Sequence, residues 1–448
     1  MVRVMLKFIA CLCLAVAAST PLWSQVEPSA SGGGFDLDDE HMMTPPPVSR
    51  DAYPVMVGSE ERSNFLSGGL VFTAAYSDNL MLVNNSGPIS DETYTFLPTI
   101  GLERRTPKQG ESLHYSSGFA LYQNTSKLNS VSQDGSAGYR FHLSPYAVIS
   151  INDTFQQNYN LYNQGNPFAG GGVSGSPSSP NALIAPFANQ LGNSTNAGID
   201  YQYGRNAMIG GSAAYSFMQY SNLSDVPGLN NQDTTDGNAF FARRIARSQY
   251  VGLTYQFSKF ITHPIDTYTV SNTVFGFYTH YFTNRFSLSI LGGPEHYTTW
   301  TQTVAKQGAW TPAIQGSIGW QRQHTNLSAS LSHVVTGAGG LIGTYHSNVG
   351  SLNGQIALSQ TWGAEAHVDY MQFKNVHPNA SQFSAYAGGH TVTGGTSVQH
   401  RITEKIYMEA GYQHFHQSYG NIAVASSFLG SNRAYGSISY QFSRPLGR

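Results

Sequence analysis

The chain has 448 residues and a formal net charge of -2; only 11% of its residues are charged, and it contains 47 Gly, 27 Tyr and 24 Phe. Globular soluble proteins have about 25% charged residues, so this composition argues against an ordinary soluble enzyme, and the near-neutral charge argues against nucleic acid as a partner. Low charge with abundant small polar and aromatic residues favours a wall that is apolar on one face and polar on the other.

Residues 1–25 have the pattern of a cleavable secretory signal. A short basic start precedes residues 8–18, which are apolar and end in small residues. Cleavage between this run and residue 25 removes Cys11 and Cys13, so the mature chain has no thiol and no disulfide framework. Lipid attachment at one of these cysteines is the weaker alternative, because the apolar run continues past them. No later stretch reaches the ~18 apolar residues of a membrane-spanning helix.

Residues 26–62 differ from the rest of the chain. They combine small residues at 29–34, an acidic run at 36–40 and three prolines at 45–47. This composition predicts a disordered periplasmic lead-in. The acidic run with His41 is more typical of a solvated charged segment than of a cation site.

From residue 63 to the end at 448, apolar and polar residues alternate with the period of a β-strand whose two faces meet different surroundings. In residues 251–258, Val251, Leu253, Tyr255 and Phe257 alternate with Gly, Thr, Gln and Ser. A soluble propeller or sandwich also alternates, but its polar face is rich in Lys and Glu. Here that face is Ser, Thr, Gly, Gln and Asn, and aromatic residues recur at strand ends, as in the interfacial girdles of membrane barrels.

The connections between strands fall into short polar turns and longer loops that alternate along the chain. Short turns are predicted near residues 107–108, 144–145, 205–206, 246–247, 284–285, 325–326, 363–364 and 403–404. Longer loops are predicted near residues 84–92, 124–133, 157–194, 221–237, 259–270, 299–309, 335–348, 376–386 and 417–433. The sequence therefore predicts an all-β fold, a transmembrane antiparallel up-and-down β-barrel of about 18 strands, in the cell outer membrane with both termini periplasmic. Reading residues 237–258 as one strand breaks the even count, and 16 strands is the alternative.

Basic residues concentrate near the predicted short turns, whereas many acidic residues lie toward the loops. The pore-lining candidates of this group are Arg140, Arg205, Arg243, Arg247, Arg322 and Arg401. Rings of charge tune selectivity, so one hypothesis is a field that favours anions at the inner mouth. The competing interpretation is that these charges anchor strand ends in lipid headgroups.

A second set of pore-lining candidates is Glu365, His367 and Asp369. They share one face of a predicted strand at steps of roughly 7 Å, where they would form a constriction or a weak cation site, or simply belong to a hydrated wall. His414 and His416 have the same spacing but are too few for a tight metal site. Neither a nucleophile elbow nor a His-Glu-x-x-His motif occurs, so no catalytic residue, metal or cofactor is predicted and the chain is not expected to be an enzyme.

The longest predicted loop, residues 157–194, is the third in order. It contains a flexible Gly-rich run and then apolar residues, among them Leu183, Ile184 and Phe187. One hypothesis is that this loop folds into the barrel and narrows it. The other is a surface loop that packs on its neighbours or on lipopolysaccharide.

The last strand carries a resemblance to known proteins. Gly436, Ile438, Tyr440 and Phe442 alternate as in the C-terminal strand by which the barrel assembly machinery recognises outer-membrane proteins, although six residues follow Phe442. With the preceding hairpins, the chain resembles the outer-membrane β-barrel porins of Gram-negative bacteria, some of which accompany exopolysaccharide export. The resemblance implies that Tyr440 and Phe442 form an assembly signal. It implies as partners the outer-membrane lipid, lipopolysaccharide, the assembly machinery and, for some members, polysaccharide.

Three functions follow as expectations. The first is passive diffusion of small hydrophilic solutes, because a barrel of about 18 strands is too wide for side chains to fill. The second is a conduit or accessory for exopolysaccharide export, in which lumen tyrosines stack on sugar rings; the candidates are Tyr122, Tyr278, Tyr407 and Tyr435. The third is a plugged structural or surface barrel. The sequence leaves the solute, the oligomeric state and the gating open.

Overall fold

The structure is a computed structural model, and it describes residues 64–80, 88–158, 189–221, 230–264, 266–283, 285–302, 305–337, 344–376, 388–419 and 428–445. Eighteen strands form one antiparallel sheet. They are β1 Phe65–Ser77, β2 Asp91–Arg105, β3 Gln109–Tyr122, β4 Ser130–Ser144, β5 Ala147–Asn158, β6 Gln190–Gln202, β7 Ala207–Tyr220, β8 Asn231–Ala246, β9 Gln249–His263, β10 Thr267–Thr283, β11 Phe286–Thr301, β12 Gln307–Arg322, β13 Thr325–Gly337, β14 Thr344–Ala357, β15 Trp362–Asn375, β16 Gly388–Arg401, β17 Ile406–Tyr419 and β18 Phe428–Pro445.

The sheet closes on itself, because β1 pairs with both β2 and β18. The closing register runs from Phe65↔Pro445 to Ser77↔Arg433. Every other strand pairs with its neighbours in sequence, which gives an up-and-down barrel without a crossover. Strands of 12 to 18 residues exceed the 9–11 residues that a tilted membrane strand requires. The prediction of 18 strands is confirmed, and the alternative of 16 is wrong.

The alternation of side chains gives the wall two different faces. In β9 the apolar side chains of Leu253 and Tyr255 are exposed on the outer surface, whereas Thr254, Gln256 and Ser258 are buried on the inner one. Directly opposed residues of antiparallel strands share a face. The pairing register therefore shows, strand by strand around the barrel, which residues face outward and which face inward. Leu253, for example, faces Phe241 and Gly276 on the outer surface. The outer face is thus apolar and the inner face polar, as a membrane barrel requires.

Eight short turns join the strands at one end, and β1 begins and β18 ends at that same end. The split at residues 246–249 is confirmed, because Ala246 pairs with Gln249 across a turn. Two turns lie a few residues before their predicted positions, at 323–324 and 358–361.

The loop predicted at residues 259–270 is wrong. Strand β9 continues to His263 and β10 begins at Thr267, so a short connection replaces the loop. Phe260 and Thr262 keep the inward alternation and are buried, while the polar Lys259 and His263 lie on the outer face near the strand end. Polar outward residues beyond the apolar band gave this segment the composition of a loop.

In the described ranges, no helix is long and apolar enough to cross a membrane. The predicted signal peptide, residues 1–25, and the predicted lead-in, residues 26–62, lie outside the described residues.

Candidate functional site: the inner face of the barrel

The inner wall carries rows of hydroxyl groups that bond to one another across strands. The Thr269 and Thr299 hydroxyls of β10 and β11 are 3.1 Å apart, and those of Thr279 and Ser289 are 3.0 Å apart. These hydroxyls lie on the inward face because their strand neighbours, such as Val274 and Ile290, are exposed on the outer one. All four side chains are almost fully buried, so these hydroxyls satisfy one another within the wall. In β5 the inward Asn152 and Thr154 are exposed, and it is polar side chains of this kind that suit contact with water and hydrophilic solutes.

Ionisable residues also line this face, and among the described strands the acidic ones outnumber the arginines. The inward acids are Asp91, Glu103, Asp134, Asp200, Asp236, Glu295, Glu365, Asp369 and Glu409. The inward arginines are Arg105, Arg140, Arg244, Arg401 and Arg433. Four of these five arginines lie near the short-turn end, so the rest of the inner wall carries mainly negative charge.

Glu365, His367 and Asp369 lie together on the inner face of β15, as their spacing indicated. Their outward neighbours Val368 and Tyr370 are exposed. Across the strand pairs, Asp369 faces Ser351 and Thr393, and the Thr393 hydroxyl donates to Asp369 at 3.5 Å. Among the described residues, no group of three or more His, Cys, Asp or Glu side chains is arranged to hold a metal ion.

The six arginine candidates do not share one location. Arg140 and Arg401 are on the inward face, Arg140 in β4 and Arg401 at the end of β16. Arg205 and Arg247 lie in the short turns between strands. These four stay at or near the short-turn mouth.

Arg243 and Arg322 require a correction, because they are on the outward face. Arg243 pairs with the outward Val251 and shares a face with the exposed Phe241, and Arg322 shares a face with Trp320 at the end of β12. Side chains alternate along a strand, so nearness to a turn does not decide which face a residue takes. At these positions a guanidinium reaches the lipid headgroup level instead of the lumen.

Three of the four tyrosine candidates face inward, and Tyr278 does not. Tyr278 pairs with Val251 and shares the outward face of Val274, so it is excluded from the lumen set. Tyr122 and Tyr435 are buried inward, and the Tyr435 hydroxyl donates to Glu409 at 2.7 Å. Tyr407 lies near the short-turn end, where its hydroxyl donates to the Glu404 carbonyl.

An apolar patch on the inner face is a feature that the sequence analysis missed. Its buried members are Met208, Phe240, Ala242, Tyr250, Phe275, Phe277, Tyr281, Leu291 and Ala313, with Val334 packed against them. These residues occupy inward positions from β7 to β13, where alternation predicts polar side chains. The signal was available as Phe275 and Phe277, which break the polar inward pattern of β10.

A second missed feature is a hairpin end that lies inside the wall. The β12–β13 pairing ends at Ile314↔His333, although β11–β12 continues to Thr299↔Gln307 and β13–β14 continues to Gly337↔Thr344. The backbone N–H of Val335 donates to Glu295 Oε2 at 3.1 Å, across β12.

The ring contacts show on which side of the wall this hairpin end lies. His346, on the outer face of β14, contacts the inward Tyr297 of β11, with Nε2 and the hydroxyl 3.3 Å apart. The outer face of the β13–β14 end therefore packs on the inner face of β11.

The predicted assembly signal lies on the outer face where the barrel closes. Phe442 faces Gly68 and Tyr440 faces Leu70, and both aromatic side chains are exposed. The apolar residues of the predicted third-loop constriction, Leu183, Ile184 and Phe187, lie outside the described residues.

A closed sheet with an apolar outer band, exposed aromatic residues near both ends and a polar inner wall has the properties of a membrane-spanning barrel of the bacterial outer membrane. The chain is an outer-membrane β-barrel of porin-like architecture. No protein-family model matches this barrel, and no curated protein matches it.

Solved structures with a similar fold include a transporter and an outer membrane protein. The ferric citrate transporter FecA in its unliganded form is 8% identical in sequence, with a TM-score of 0.44. The alignment covers 85% of this chain and 79% of the FecA chain. OccK2 of Pseudomonas aeruginosa is 8% identical in sequence, with a TM-score of 0.42, and its alignment covers 86% of this chain and 100% of the OccK2 chain. The outer membrane protein opdK of the same organism is 9% identical with a TM-score of 0.41 and covers 85% and 99%. At these values the likeness concerns the fold alone.

Proposed function

We propose that this barrel is a passive channel for small hydrophilic solutes, without catalytic activity. The observation that carries the proposal is the inner wall of an 18-strand barrel, lined by hydroxyl, amide and carboxylate side chains. Barrels of 16–18 strands leave an aqueous channel because their side chains do not fill the interior. In this proposal the periplasmic side of the barrel is the end that carries the short turns, where β1 begins and β18 ends.

The charge of the wall supports a preference of this channel for cations. Acidic side chains such as Asp134, Asp200 and Asp236 occupy inward positions on neighbouring parts of the wall. Carboxylate rings favour cation passage. The short-turn mouth is mixed in charge, because the inward Glu103, Asp200, Glu365 and Glu409 lie as near to it as the inward arginines.

Liposome swelling tests the passage of solutes. The full chain, folded into liposomes, is expected to admit arabinose and glucose and to exclude large oligosaccharides, because a water-filled lumen sorts solutes by size. Empty liposomes and liposomes with heat-denatured protein serve as controls. Swelling rates equal to those of empty liposomes for all sugars would contradict the proposal.

Export of polysaccharide receives little support from the described tyrosines. Tyr278 lies outside the lumen, and the rings of Tyr122 and Tyr435 are buried. Tyr407 alone of the four candidates is inward and half-buried, which leaves one ring near the short-turn end for a sugar to stack on. Block of the channel current by long oligosaccharides, but not by monosaccharides, would revive this alternative.

A further inference from the structure

The wall of the barrel contains a seam, formed by residues 307–313 of β12 and residues 334–337 of β13. Residues 307–313 pair with β11, but the described β12–β13 register does not include them. At the centre of this part of β12, Pro312 faces Pro294, and neither has a backbone N–H to donate. Proline within a sheet is confined to edge positions and bulges, so the sequence of β12 matches a local edge here.

The outer surface beside the seam is a groove of about 600 Å³, lined by Gly292, Gly293, Pro294 and residues 310–314. None of these residues is charged. Trp310 forms one side of the groove and is 72% exposed, the largest exposed fraction among the outward aromatic residues of the described chain. Gly292 leaves the floor open, because a Cβ there would meet no atom within 4 Å.

The groove is continuous with the apolar patch on the inner face. Ala313 lines the groove and is also a member of the buried inner cluster, against which Val334 of β13 packs. An apolar surface therefore reaches the seam from both sides of the wall. A hydrophilic solute gains nothing from such a surface. An acyl chain, which is already surrounded by lipid at the outer face, gains there from van der Waals packing against the walls of the groove.

A positive charge lies at the loop end of the groove. Lys306 comes directly before β12, and its Nζ is 5.2 Å from the centre of the Trp300 ring, which stacks on Tyr268. Lys306 precedes Trp310 by four residues, roughly 13 Å along an extended strand. An anionic head at Lys306 and an apolar tail along Trp310 and Gly292 would both find complementary groups.

From this geometry we propose that the outer groove on β11 and β12, beside the seam, binds a single-chain anionic amphiphile, a long-chain fatty acid. The carboxylate lies at Lys306 and the acyl chain lies in the outer groove. The groove adjoins the inner patch at Ala313, whose side chain is fully buried, so the two apolar surfaces meet within the wall without an opening. The site is in the wall, so this inference stands apart from the proposed conduction of hydrophilic solutes.

Photo-crosslinking tests the site in the full chain folded into nanodiscs. A diazirine-bearing C16 fatty acid is expected to label the peptide with residues 310–314 more strongly than other lipid-facing peptides. Gly292→Leu fills the groove and is expected to lower that labelling about tenfold, equivalent to ~1.4 kcal/mol. Gly237→Leu is the matched control. Gly237 also faces outward, and a Cβ there would meet no atom within 4 Å, but it does not line the groove. Labelling of this variant is expected to stay at the wild-type level.

Lys306→Ala separates recognition of the head from general affinity for lipid. It is expected to lower labelling by the free acid and to leave labelling by the methyl ester unchanged. Even labelling around the barrel, or equal labelling of wild type and Gly292→Leu with both folded, would overturn the proposal and show adventitious lipid contact only. Equal loss of acid and ester in Lys306→Ala would overturn the assignment of the carboxylate.

Discussion

Glu295 shows how one inward carboxylate organises the loop end of the wall. Its side chain is 2% exposed, accepts the Ser271 hydroxyl with one oxygen and accepts the Val335 N–H with the other. A buried carboxylate is stable only with such partners. Glu295 therefore connects β10 and β11 to the end of β13, across β12.

Removal of this carboxylate should release the end of β13. Glu295→Ala leaves the Ser271 and Val335 donors without this acceptor, and an unsatisfied buried donor costs about 1–3 kcal/mol. Hydrogen–deuterium exchange is expected to rise in residues 334–337. Glu365→Ala, which removes another inward carboxylate from β15, is the control and should leave that peptide unchanged. Unaltered exchange at residues 334–337 in Glu295→Ala would show that the contact does not hold the strand.

The acids of β15 should contribute to ion selectivity. The double variant Glu365→Gln/Asp369→Asn replaces two acidic side chains of the lumen with neutral amides, so the zero-current potential in a KCl gradient should shift toward that of an unselective pore. Asp153→Asn removes a charge from the outward face of β5 and should leave the potential unchanged. Equal potentials for the wild type and the double variant would place these acids outside the ion path.

The alternation of side chains along a strand decides which residues face the lumen, and it was applied to some candidate residues and not to others. Glu365, His367 and Asp369 face the lumen as their spacing indicated. Arg243 and Tyr278 were assigned to the lumen by residue type. Arg243 is two residues from Phe241 and Tyr278 is four residues from Val274, and both of these reference side chains are exposed on the outer face, so alternation places Arg243 and Tyr278 there too. Which ionisable side chains meet across strands depends on register, and register requires the assembled sheet.

At the scale of elements, the count of strands was predictable and their ends were less so. Apolar alternation fixes a strand only where one face meets lipid. Beyond the apolar band the outer face also carries polar residues, which is why Lys259 and His263 resembled loop residues. The inward displacement of the β13–β14 end was not predictable, because it depends on contacts between Glu295 and Tyr297 and residues that are distant in sequence. Pro312 was the one local sign of the interrupted pairing.

The backbones of β10 and β11 approach closely at Gly293, and this contact predicts an effect of substitution on the stability of the barrel. A Cβ at Gly293 would clash with the Val274 carbonyl oxygen, whereas one at the neighbouring Gly292 meets nothing within 4 Å. Gly293→Ala is expected to destabilise the barrel by about 1–3 kcal/mol through overpacking, and Gly292→Ala should be close to neutral. Urea titration of the folded barrel, followed by its heat-modifiable gel mobility, measures both. Equal stability of the two variants would mean that the strands separate without cost.

At the scale of the whole molecule, closure and polarity together determine what the barrel can do. Pairing of β1 with β18 satisfies the edge groups that lipid would leave without partners. The apolar outer face fixes the barrel in the membrane, and the polar inner face leaves an interior suited to water. The apolar inner patch departs from this separation of faces, and it adjoins the outer groove of the acyl-chain proposal at Ala313.

Single-channel recording in planar bilayers tests the central claim most directly. The full chain, shown to be folded by its heat-modifiable mobility, is expected to insert in discrete conductance steps that scale with KCl concentration, because ions cross a water-filled lumen. The zero-current potential should show a preference for cations. Folded, inserted protein that carries no current would contradict the account of this barrel as an open channel.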